Sequence, residues 1–484
     1  MVKMLIGGEQ TDGTAAGELE VVDPATEEVY ETVPAGGADA VELAVGAAEA
    51  AFGEWSRTDA ERRAELIRGA LDLVLERKDA IVETLTHEQG KPTLEAAGEL
   101  QHFVHGLHYY ADLATKVRGV YQDLPSTLGR SYGLVVKRPL GVVAAIVPYN
   151  YPLTLMGTKL GPALAAGNTV VVKPASSTPL ATLKVAELFH EAGLPAGVLN
   201  VVTGRGAEIG EALVTDPRVR RVAFTGETGT GRRIAELTGP AFKRLTLELG
   251  GSDPMIVCPD ANVPAAVKGA VIGRFWNAGQ SCLAVKRLYV FDEVYDELVE
   301  GLIKELERYE CGTGWSRPEK PKLRIGPVHS GRGRDELATQ LEDAVARGAR
   351  VLIGGGPPEE QERGYYFRPT LVEGAPHDSR LVQEEVFGPI LPIFRVYDLD
   401  EAIRLANDTR YGLGSSVWTY DARTIDRAAR EIDAGMTWIN QIHYGYDELP
   451  FGGLKESGLG KEHGLEAMMD YYFETKSVVV GGLG

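Results

Sequence analysis

The sequence predicts an α/β fold in which two parallel sheets are accompanied by a small β arm. Short β-rich runs alternate with helical stretches twice along the chain, first before residue 250 and again after it. Strands that are separated by helices form parallel sheets with right-handed crossovers, so each series predicts one sheet. Two apolar segments, 131–137 and 471–480, lie outside both series. We expect them to pair as the strands of an arm that contacts another subunit.

The first series follows a predicted helical layer that extends from about Asp39 to Leu113. Its predicted strands are 142–147, 169–172, 199–202 and 222–224, and its predicted helices are 157–166, 178–192, 206–214 and 229–238. Most turns between them contain Gly or Pro, which favours tight connections. The second series has predicted strands at 254–257, 391–396, 415–419 and 437–440, with predicted helices at 400–407 and 421–432.

Length, composition and charge exclude several classes of protein. The 484 residues suffice for about three structural units, and 44% apolar with 25% charged residues is typical of folded globular domains. Lys plus Arg minus Asp plus Glu gives 50 − 69 = −19, which disfavours binding to nucleic acid or to an anionic membrane. Three cysteines cannot form a disulfide framework, and no apolar run has the length of a leader or a membrane span. We therefore expect a cytoplasmic protein.

A glycine-containing turn, Asn-Ala-Gly-Gln-Ser-Cys at 277–282, leads into Cys282. Glycine lets the backbone approach a reacting centre, and a cysteine in such a turn could act as a thiolate nucleophile. A lone cysteine is more often a buried structural residue, so both interpretations stay open here. Cys258, inside an apolar run, fits the structural role, and Cys311 lies in a loop beside Gly312 without an evident role.

Three other segments offer polar groups that could take part in chemistry. Glu248 lies between Leu247 and Leu249, and apolar neighbours would raise its pKa toward that of a general base, unless it lies on an exposed edge. Asn150 follows a predicted strand, where its amide could donate to an oxyanion or simply belong to a turn. The glycines of 224–231 could bind a phosphate at a helix N-terminus, a weak indication by itself.

Seven segments, in order over about 300 residues, together resemble the aldehyde dehydrogenase superfamily. They are PYNYP (148–152), VVKPAS (171–176), FTGETGTG (224–231), LELGG (247–251), GQSC (279–282), EEVFGP (384–389) and PFGGLKESGLG (450–460). The resemblance implies a Rossmann-like dinucleotide-binding domain over 1–120 and 141–250 and a second α/β catalytic domain over 251–456. It also implies an oligomerisation arm over 121–140 and 470–484, hence a homodimer or homotetramer.

The resemblance further implies the oxidation of a small-molecule aldehyde to a carboxylic acid with NAD or NADP. Cys282 would attack the aldehyde carbon, and the Asn150 amide with the Cys282 backbone N–H would hold the oxyanion. Glu248 would deprotonate the water that hydrolyses the thioester. The chemistry that is implied needs no metal.

Positions for the dinucleotide are also implied by the resemblance. They are Lys173 for ribose hydroxyls, Gly226 and Gly206 for the adenosine and pyrophosphate, Glu385 and Phe387 for the nicotinamide ribose and ring, and Val147, Pro148 and Leu249 for backbone contacts. NAD-preferring members carry Glu three residues after the Lys, where this chain has Ser176, so we expect NADP to be preferred over NAD. Arg205 could pair with the added phosphate or face solvent. Glu227 replaces a small residue, and its carboxylate would weaken binding unless it turns outward or caps a helix.

Residues expected to line the aldehyde channel are Tyr151, Trp276 and Phe451, an aromatic set that suits an uncharged aliphatic or aromatic tail. Members that act on succinate semialdehyde place Arg at the position of Trp276, which argues against a dicarboxylic semialdehyde. Asp447 and Glu448 would disfavour an anionic tail if they faced the channel mouth. The run 282–287 instead resembles the branch that oxidises lactaldehyde or glyceraldehyde 3-phosphate, which stays an alternative.

Two other functions compete with dehydrogenation. One is a thiol esterase that uses the same cysteine, and the other is a binding or structural protein that kept the fold and lost activity. Intact Cys282, Glu248 and Asn150 argue against the second. His102, His105 and His108 recur every three residues on a predicted helix, and we interpret them as a stack with neighbouring tyrosines rather than a metal site.

Overall fold

The computed structural model describes residues 1–15, 17–125, 131–313 and 323–481 of the chain. Its strands are β1 (Met4–Ile6), β2 (Glu9–Thr11), β3 (Glu18–Asp23), β4 (Glu28–Pro34), β5 (Val120–Leu124), β6 (Ser131–Pro139), β7 (Val142–Ile146), β8 (Thr169–Lys173), β9 (Leu199–Val201), β10 (Val219–Thr225), β11 (Arg244–Glu248), β12 (Asp253–Val257), β13 (Val285–Phe291), β14 (Tyr309–Cys311), β15 (Leu323–Ile325), β16 (Arg350–Ile353), β17 (Thr370–Glu373), β18 (Ile390–Val396), β19 (Tyr411–Gly412), β20 (Gly414–Trp418), β21 (Met436–Ile439), β22 (Leu454–Lys455), β23 (Gly458–Leu459) and β24 (Phe473–Val480).

The helices connect these strands and cover the sheets. They are α1 (Ala38–Trp55), α2 (Ala60–Glu76), α3 (Lys78–Gln89), α4 (Thr93–Leu113), α5 (Pro152–Ala166), α6 (Leu180–Glu191), α7 (Glu211–Thr215), α8 (Thr228–Thr238), α9 (Val263–Phe275), α10 (Asp292–Leu306), α11 (Gly331–Ala346), α12 (Arg380–Gln383), α13 (Leu399–Asn407), α14 (Ala422–Glu431) and α15 (Gly464–Tyr471).

The first sheet has the strand order β2-β1-β9-β8-β7-β10-β11-β23. Its five central strands run parallel, and β1, β2 and β23 pair antiparallel at the edges. Alternate residues of β7 belong to different cores, with Val143 packed against one layer of helices and Val142 against the other. Both faces are therefore covered, as a parallel sheet requires, which explains why the strand is apolar throughout.

The second sheet has the order β16-β17-β18-β13-β12-β20-β21, parallel except for β16. Its core is formed by the sheet and the helices around it. Helix α13 begins where the Asp398 side chain accepts a hydrogen bond from the Glu401 N–H at 2.8 Å, and α14 begins in the same way at Asp421. Aspartate caps of this kind explain why the starts of both helices could be located in the sequence.

The arm is a three-stranded antiparallel sheet of order β24-β6-β5. The segments 131–137 and 471–480 pair as expected, with Val478 opposite Leu134. The sequence did not indicate β5, because its residues are polar or exposed and give no clear alternation. The arm limits 121–140 and 470–484 include residues 126–130 and 482–484, which lie outside the described residues.

The α/β fold class is confirmed, and most expected elements are found within a few residues of their expected limits. Two differences matter for the site. The expected helix 206–214 is a π-helical turn, Gly206–Gly210, followed by the short α7. Strand β13 lies in the centre of the second sheet, although its Lys286 and Arg287 concealed it in the sequence. The functional division of the chain at residues 120, 141, 250 and 456 stays a prediction.

Candidate active site

The residues expected at the dinucleotide follow the carboxyl ends of parallel strands in the first sheet. Val147 and Pro148 follow β7, Lys173 ends β8, and Gly226 follows β10. The chain moves from β7 toward β8 and β9 in one direction and continues at β10 on the other side of β7. Ligands of open α/β sheets bind at this reversal, outside the carboxyl ends of the strands. The fold therefore places these residues at the expected crevice.

Lys173 is a buried cation with one neighbouring acceptor that the structure identifies, the Pro174 carbonyl oxygen at 3.0 Å. Burial lowers the pKa of its ammonium group to about 8. A buried ammonium group favours further oxygen acceptors, and ribose hydroxyls are of that kind. Ser176 lies in the turn that follows, half-buried, and the Thr178 N–H donates to the Ala175 carbonyl at 3.2 Å to close that turn.

Gly226 separates β10 from α8, and its N–H donates to the Glu248 carbonyl oxygen at 3.0 Å. A Cβ at this position would lie 2.6 Å from the Phe224 ring, so a side chain would not fit. Glu227 occupies the N-cap position of α8, where its side chain is exposed and accepts no capping hydrogen bond. Of the two ways in which Glu227 could spare dinucleotide binding, capping of the helix is therefore not the one observed.

The turn before Cys282 has a strained backbone. Asn277 and Ala278 both have left-handed conformations, with φ of 53° and 52°. Side chains rarely adopt this region, so surrounding contacts must hold it. The Glu95 carboxylate of α4 accepts a hydrogen bond from the Asn277 N–H at 2.8 Å, and the Gln280 side chain donates to the Asn277 carbonyl at 3.1 Å.

The Cys282 thiol is enclosed among charged groups. Burial raises its pKa to about 12, Lys286 opposes that rise, and Glu385 and Glu248 add to it. The Lys286 ammonium donates to the Cys282 carbonyl oxygen at 2.7 Å and lies 3.5 Å from the Glu385 carboxylate. Glu385 also accepts a hydrogen bond from the Gly251 N–H at 3.1 Å. The Cys282 thiol is therefore protonated at neutral pH and needs a base to become a nucleophile.

Asn150 lies at the amino end of α5 and is 4% exposed. Its side-chain amide donates to the Gln280 carbonyl oxygen at 3.0 Å, two residues before Cys282. Its own carbonyl oxygen accepts from Lys91 at 2.7 Å and from the Asn277 side chain at 2.9 Å. The amide that the sequence singled out is thus fixed beside the cysteine turn, and its second N–H has no hydrogen-bond partner among the described residues.

Glu248 ends β11 and is 3% exposed, which excludes the alternative of an exposed edge residue. Neither carboxyl oxygen has a hydrogen-bond partner among the residues that the structure describes. Burial raises the pKa of Glu248 well above its usual range, and the nearby Glu462 adds to the effect. A Cβ at Gly452 would lie 2.6 Å from one of its oxygens, so glycine there leaves the carboxyl its room.

The three aromatic residues expected to line the aldehyde channel have different degrees of exposure. Phe451 is 8% exposed and Trp276 is 39% exposed at the end of α9, while Tyr151 is half-buried. The hydroxyl of Tyr151 interacts electrostatically with Cys282, Glu95 and Glu99, and burial is the main reason that its pKa is raised. The surroundings of Tyr151 near the cysteine therefore contain carboxyl groups.

Other residues that the sequence raised lie apart from these contacts. Gly206 is exposed and opens the π-helical turn, and Arg205 is exposed with only a 4.0 Å approach to Glu208. The His102 ring lies 4.7 Å from that of Tyr444 with the planes tilted by 33°, and His105 pairs with Asp447 at 2.9 Å, so these two histidines do not form the expected stack with the tyrosines next to them. Asp447 thus faces α4.

Two kinds of feature are absent from the described part of the chain. No group of His, Cys, Asp and Glu there could hold a metal ion. No described helix is long and apolar enough to cross a membrane.

Buried charges that support the site were not predicted from the sequence. Glu95 and Glu99 lie about one turn apart near the start of α4, Lys91 lies just before that helix, and Lys91 forms an ion pair with Glu99 in which both side chains are completely buried. Lys159 forms a second buried pair with Glu462 at 3.0 Å. The spacing of Glu95 and Glu99 puts both on one helix face and was the available signal.

The doubly wound sheet, the crevice at its reversal and the cysteine turn opposite it define the class, an NAD(P)-dependent oxidoreductase. The model of the aldehyde dehydrogenase family matches residues 11–478. The chain therefore belongs to the aldehyde dehydrogenase family, and it is an aldehyde dehydrogenase that uses NAD or NADP.

Similar proteins agree over nearly the whole length. A mitochondrial succinate-semialdehyde dehydrogenase of Arabidopsis thaliana is 38% identical over 99% of this chain and 89% of its own length. An NADP-dependent succinate-semialdehyde dehydrogenase of Escherichia coli is 37% identical over 99% and 97%. The crystal structure of an NAD-dependent aldehyde dehydrogenase from Sinorhizobium meliloti matches with a TM-score of 0.94 and 36% identity, over 99% of this chain and 94% of that one.

Proposed function

We propose that this enzyme oxidises an uncharged aliphatic or aromatic aldehyde through a thioester on Cys282, with NADP preferred over NAD. The observation that carries the proposal is that both carboxyl oxygens of Glu248 are buried without a hydrogen-bond partner among the described residues. A cysteine in a glycine-containing turn and an unpaired carboxyl that can accept its proton are the groups that nucleophilic catalysis needs.

The first half of the reaction forms a bond between sulfur and carbon. Glu248 accepts the thiol proton, and the sulfur of Cys282 attacks the aldehyde carbon to give a thiohemiacetal. The free N–H of the Asn150 amide, with the backbone N–H of Cys282, donates to the oxyanion. A dinucleotide held by Lys173 and Glu385 would supply the acceptor for the hydride that this carbon loses. The product of these steps is a thioester on Cys282.

The second half breaks the same bond. Once Glu248 has released the first proton to solvent, it takes a proton from water, and the resulting hydroxide attacks the thioester carbon. The Cys282 sulfur then leaves as a thiolate and takes up the proton held by Glu248, and the carboxylic acid is released. Burial suits Glu248 to this role, because a raised pKa makes its carboxylate a stronger base near neutral pH.

The chain offers a fitting set of groups for the dinucleotide. Lys173 supplies a buried ammonium for ribose hydroxyls, and Glu385, held by Gly251 and Lys286, supplies a carboxylate for the nicotinamide ribose. Phe387 would lie at the ring. Ser176 has no carboxylate that would repel a 2′-phosphate, which supports NADP as the preferred cofactor.

Charges near the cysteine turn support an uncharged substrate. The Lys91 ammonium lies 4.1 Å from the Tyr151 ring centroid but forms a buried ion pair with Glu99. A cation that is already paired offers an anionic tail little attraction, whereas the aromatic rings suit an uncharged tail. The oligomerisation of the arm through residues 131–137 and 471–480 is part of the same proposal, because its strands expose apolar residues such as Val479.

A carboxylated semialdehyde is the second candidate, favoured by the names of the relatives, which act on succinate semialdehyde. A hydroxylated or phosphorylated aldehyde is also kept, from the sequence after Cys282. The difference among them is the charge of the tail, so activity assays can separate them.

The experiment is the initial rate of reduced-nicotinamide formation with NADP and NAD in parallel, on aliphatic, aromatic, hydroxylated, phosphorylated and carboxylated aldehydes. We expect the highest kcat/KM with NADP and an uncharged aldehyde, and no turnover by Cys282→Ala. Higher kcat/KM for a carboxylated aldehyde would make the substrate assignment wrong, and higher kcat/KM with NAD would make the Ser176 argument wrong. Unchanged turnover in Cys282→Ala would refute the mechanism.

A further inference from the structure

His329 takes no part in the proposed reaction, yet it connects the predicted cofactor site with the cysteine turn. Its ring Nε2 lies 2.7 Å from the Ser177 hydroxyl, which follows β8 of the first sheet. Its backbone N–H donates to the Gln280 side-chain oxygen at 2.8 Å, two residues before Cys282. One residue therefore contacts the loops of both sheets.

The hydrogen bonds of the imidazole determine which nitrogen carries the proton. Nδ1 lies 3.3 Å from the Gln89 carbonyl oxygen, which can only accept, so Nδ1 carries the hydrogen. Burial lowers the pKa of His329 to about 4, which keeps the ring neutral at physiological pH. Nε2 is then an acceptor, and the Ser177 hydroxyl must donate to it. The direction of the Ser177 O–H bond is thereby fixed.

The Ser177 bond matters because of the turn in which it lies. The hydrogen bond from the Thr178 N–H to the Ala175 carbonyl makes Ser176 and Ser177 the two central residues. A tight turn moves as a unit, so fixing Ser177 also fixes the direction in which Ser176 faces. Ser176 is the residue on which the expected preference for NADP depends.

The same imidazole is the first of three neighbouring aromatic rings. His329 lies parallel to Tyr149, with 4.3 Å between ring centroids and 16° between planes. Tyr149 meets Phe387 edge-on at 6.0 Å. Tyr149 stands between Pro148 and Asn150 in the chain, and Phe387 is the residue proposed at the nicotinamide ring. The series thus extends from the turn of Ser176 to the nicotinamide end of the predicted cofactor site.

We infer that His329 is a positioning residue for the dinucleotide. Through Ser177 and Tyr149, His329 keeps the turn of Ser176 and the ring of Phe387 at fixed positions relative to each other. The inference rests on the proposed function, because it uses the roles given there to Ser176 and Phe387. Neither the His329 ring nor the Ser177 hydroxyl contacts the reacting atoms in this assignment. Their effect is on cofactor binding and on the discrimination between NADP and NAD.

The test compares Ser177→Ala, Ser177→Thr and His329→Ala by steady-state kinetics with each dinucleotide. We expect Ser177→Ala to raise KM for NADP about three- to tenfold, the size of one lost hydrogen bond. KM for NAD should rise less, and KM for the aldehyde and kcat should stay within about twofold, so that KM and kcat separate. Ser177→Thr keeps the hydroxyl and should restore KM for NADP.

His329→Ala removes both the acceptor and the stacked ring, so it should raise KM for both dinucleotides, and for NADP at least as much as Ser177→Ala does. His108→Ala on α4 is the matched control for loss of a half-buried histidine and should change neither KM. Because His329→Ala could fail to fold, the melting temperature of each variant is recorded, and Ser177→Ala carries the test alone in that case.

Lys173→Ala separates the failure of this inference from that of the cofactor assignment. An unchanged KM for both dinucleotides in Lys173→Ala would mean that the site is elsewhere. A raised KM in Lys173→Ala together with unchanged values in Ser177→Ala and His329→Ala would overturn the inference and leave the site standing. Equal losses of kcat with NADP and NAD, without a change in KM, would also overturn it.

Discussion

Buried carboxyl groups occur in two different settings in this chain. Glu88, Glu95 and Glu99 of α3 and α4 each accept hydrogen bonds from backbone N–H groups of another element. Glu248, at the end of β11, has both oxygens buried without a partner among the described residues. An unpaired buried polar group costs free energy, so stability does not account for Glu248, whereas it does account for the other three.

The bonded carboxyl groups fix the segments that surround the site. Glu88 accepts from Leu180 and Ala181 at the start of α6, at 2.7 and 3.0 Å. Glu99 accepts from Leu153 at the start of α5, at 2.8 Å. Helix N-termini have unpaired N–H groups, so the carboxyl oxygens that accept hydrogen bonds from them stabilise the helix starts. In this chain, hydrogen bonding distinguishes the supporting carboxyl groups from the reactive one better than burial does.

The largest effect is expected at the unpaired group. Glu248→Gln removes the base, so kcat should fall by about 10²- to 10⁴-fold, the usual contribution of general base catalysis. The free energy of unfolding should not decrease, because an amide of the same shape replaces an unpaired carboxyl. The measurements are steady-state rates and urea denaturation of the purified variant.

The comparison would be wrong for Glu248 if Glu248→Gln kept its activity and lost stability instead. Rapid-mixing kinetics add a second readout. Under the proposed mechanism the loss of Glu248 affects thioester hydrolysis, so any thioester that forms should persist after one turnover. Glu300→Gln, an exposed carboxylate on α10, is the matched control.

The second effect is expected on stability. Glu99→Ala leaves Lys91 as a buried cation without its ion-pair partner, and breaking such a pair costs about 3–5 kcal/mol. Urea denaturation should show this loss. The double variant Lys91→Met with Glu99→Leu removes both charges and should recover part of it. A loss below about 1 kcal/mol in Glu99→Ala would show that this buried pair contributes little to stability.

Most of the fold could be predicted from the sequence, because parallel strands that are covered on both faces are continuous apolar runs between turn residues. β7 and β8 are examples, with every residue buried. β13 escaped because Lys286 and Arg287 interrupt the apolar pattern, although both are buried and bonded to backbone carbonyls. A short stretch of sequence gives no indication of hydrogen-bond partners that lie far away along the chain.

The residues of the candidate site also fall into two groups, those that could be proposed from the sequence and those that could not. Cys282, Glu248 and Asn150 lie in recognisable segments, so their positions could be proposed from sequence. The role proposed for His329 depends on a contact with Ser177, 152 residues away along the chain, and nothing near either residue indicates it. Supporting residues of this kind become visible only when the fold brings the two segments together.

The smallest effect is on the pH dependence of stability. Burial raises the pKa of Glu88 and of Glu95 to about 8. Between the unfolded value of about 4.3 and pH 8, the folded chain keeps protons that the unfolded chain releases. The contribution of each group is therefore fully present below about pH 4.3 and falls as pH rises toward 8, by at most about 1.4 kcal/mol per pH unit.

Glu95→Gln cannot ionise and keeps an oxygen for the Asn277 N–H, so the decrease in stability from pH 6 to 8 should become shallower than in the unmodified chain. Urea denaturation at half-unit steps of pH measures it, with Glu300→Gln as the exposed control. An unchanged slope would mean that Glu95 is already ionised at pH 6. A shallower slope would mean that Glu95 is neutral when it binds Asn277, and that supporting and reactive carboxyl groups differ by their partners, not by their charge.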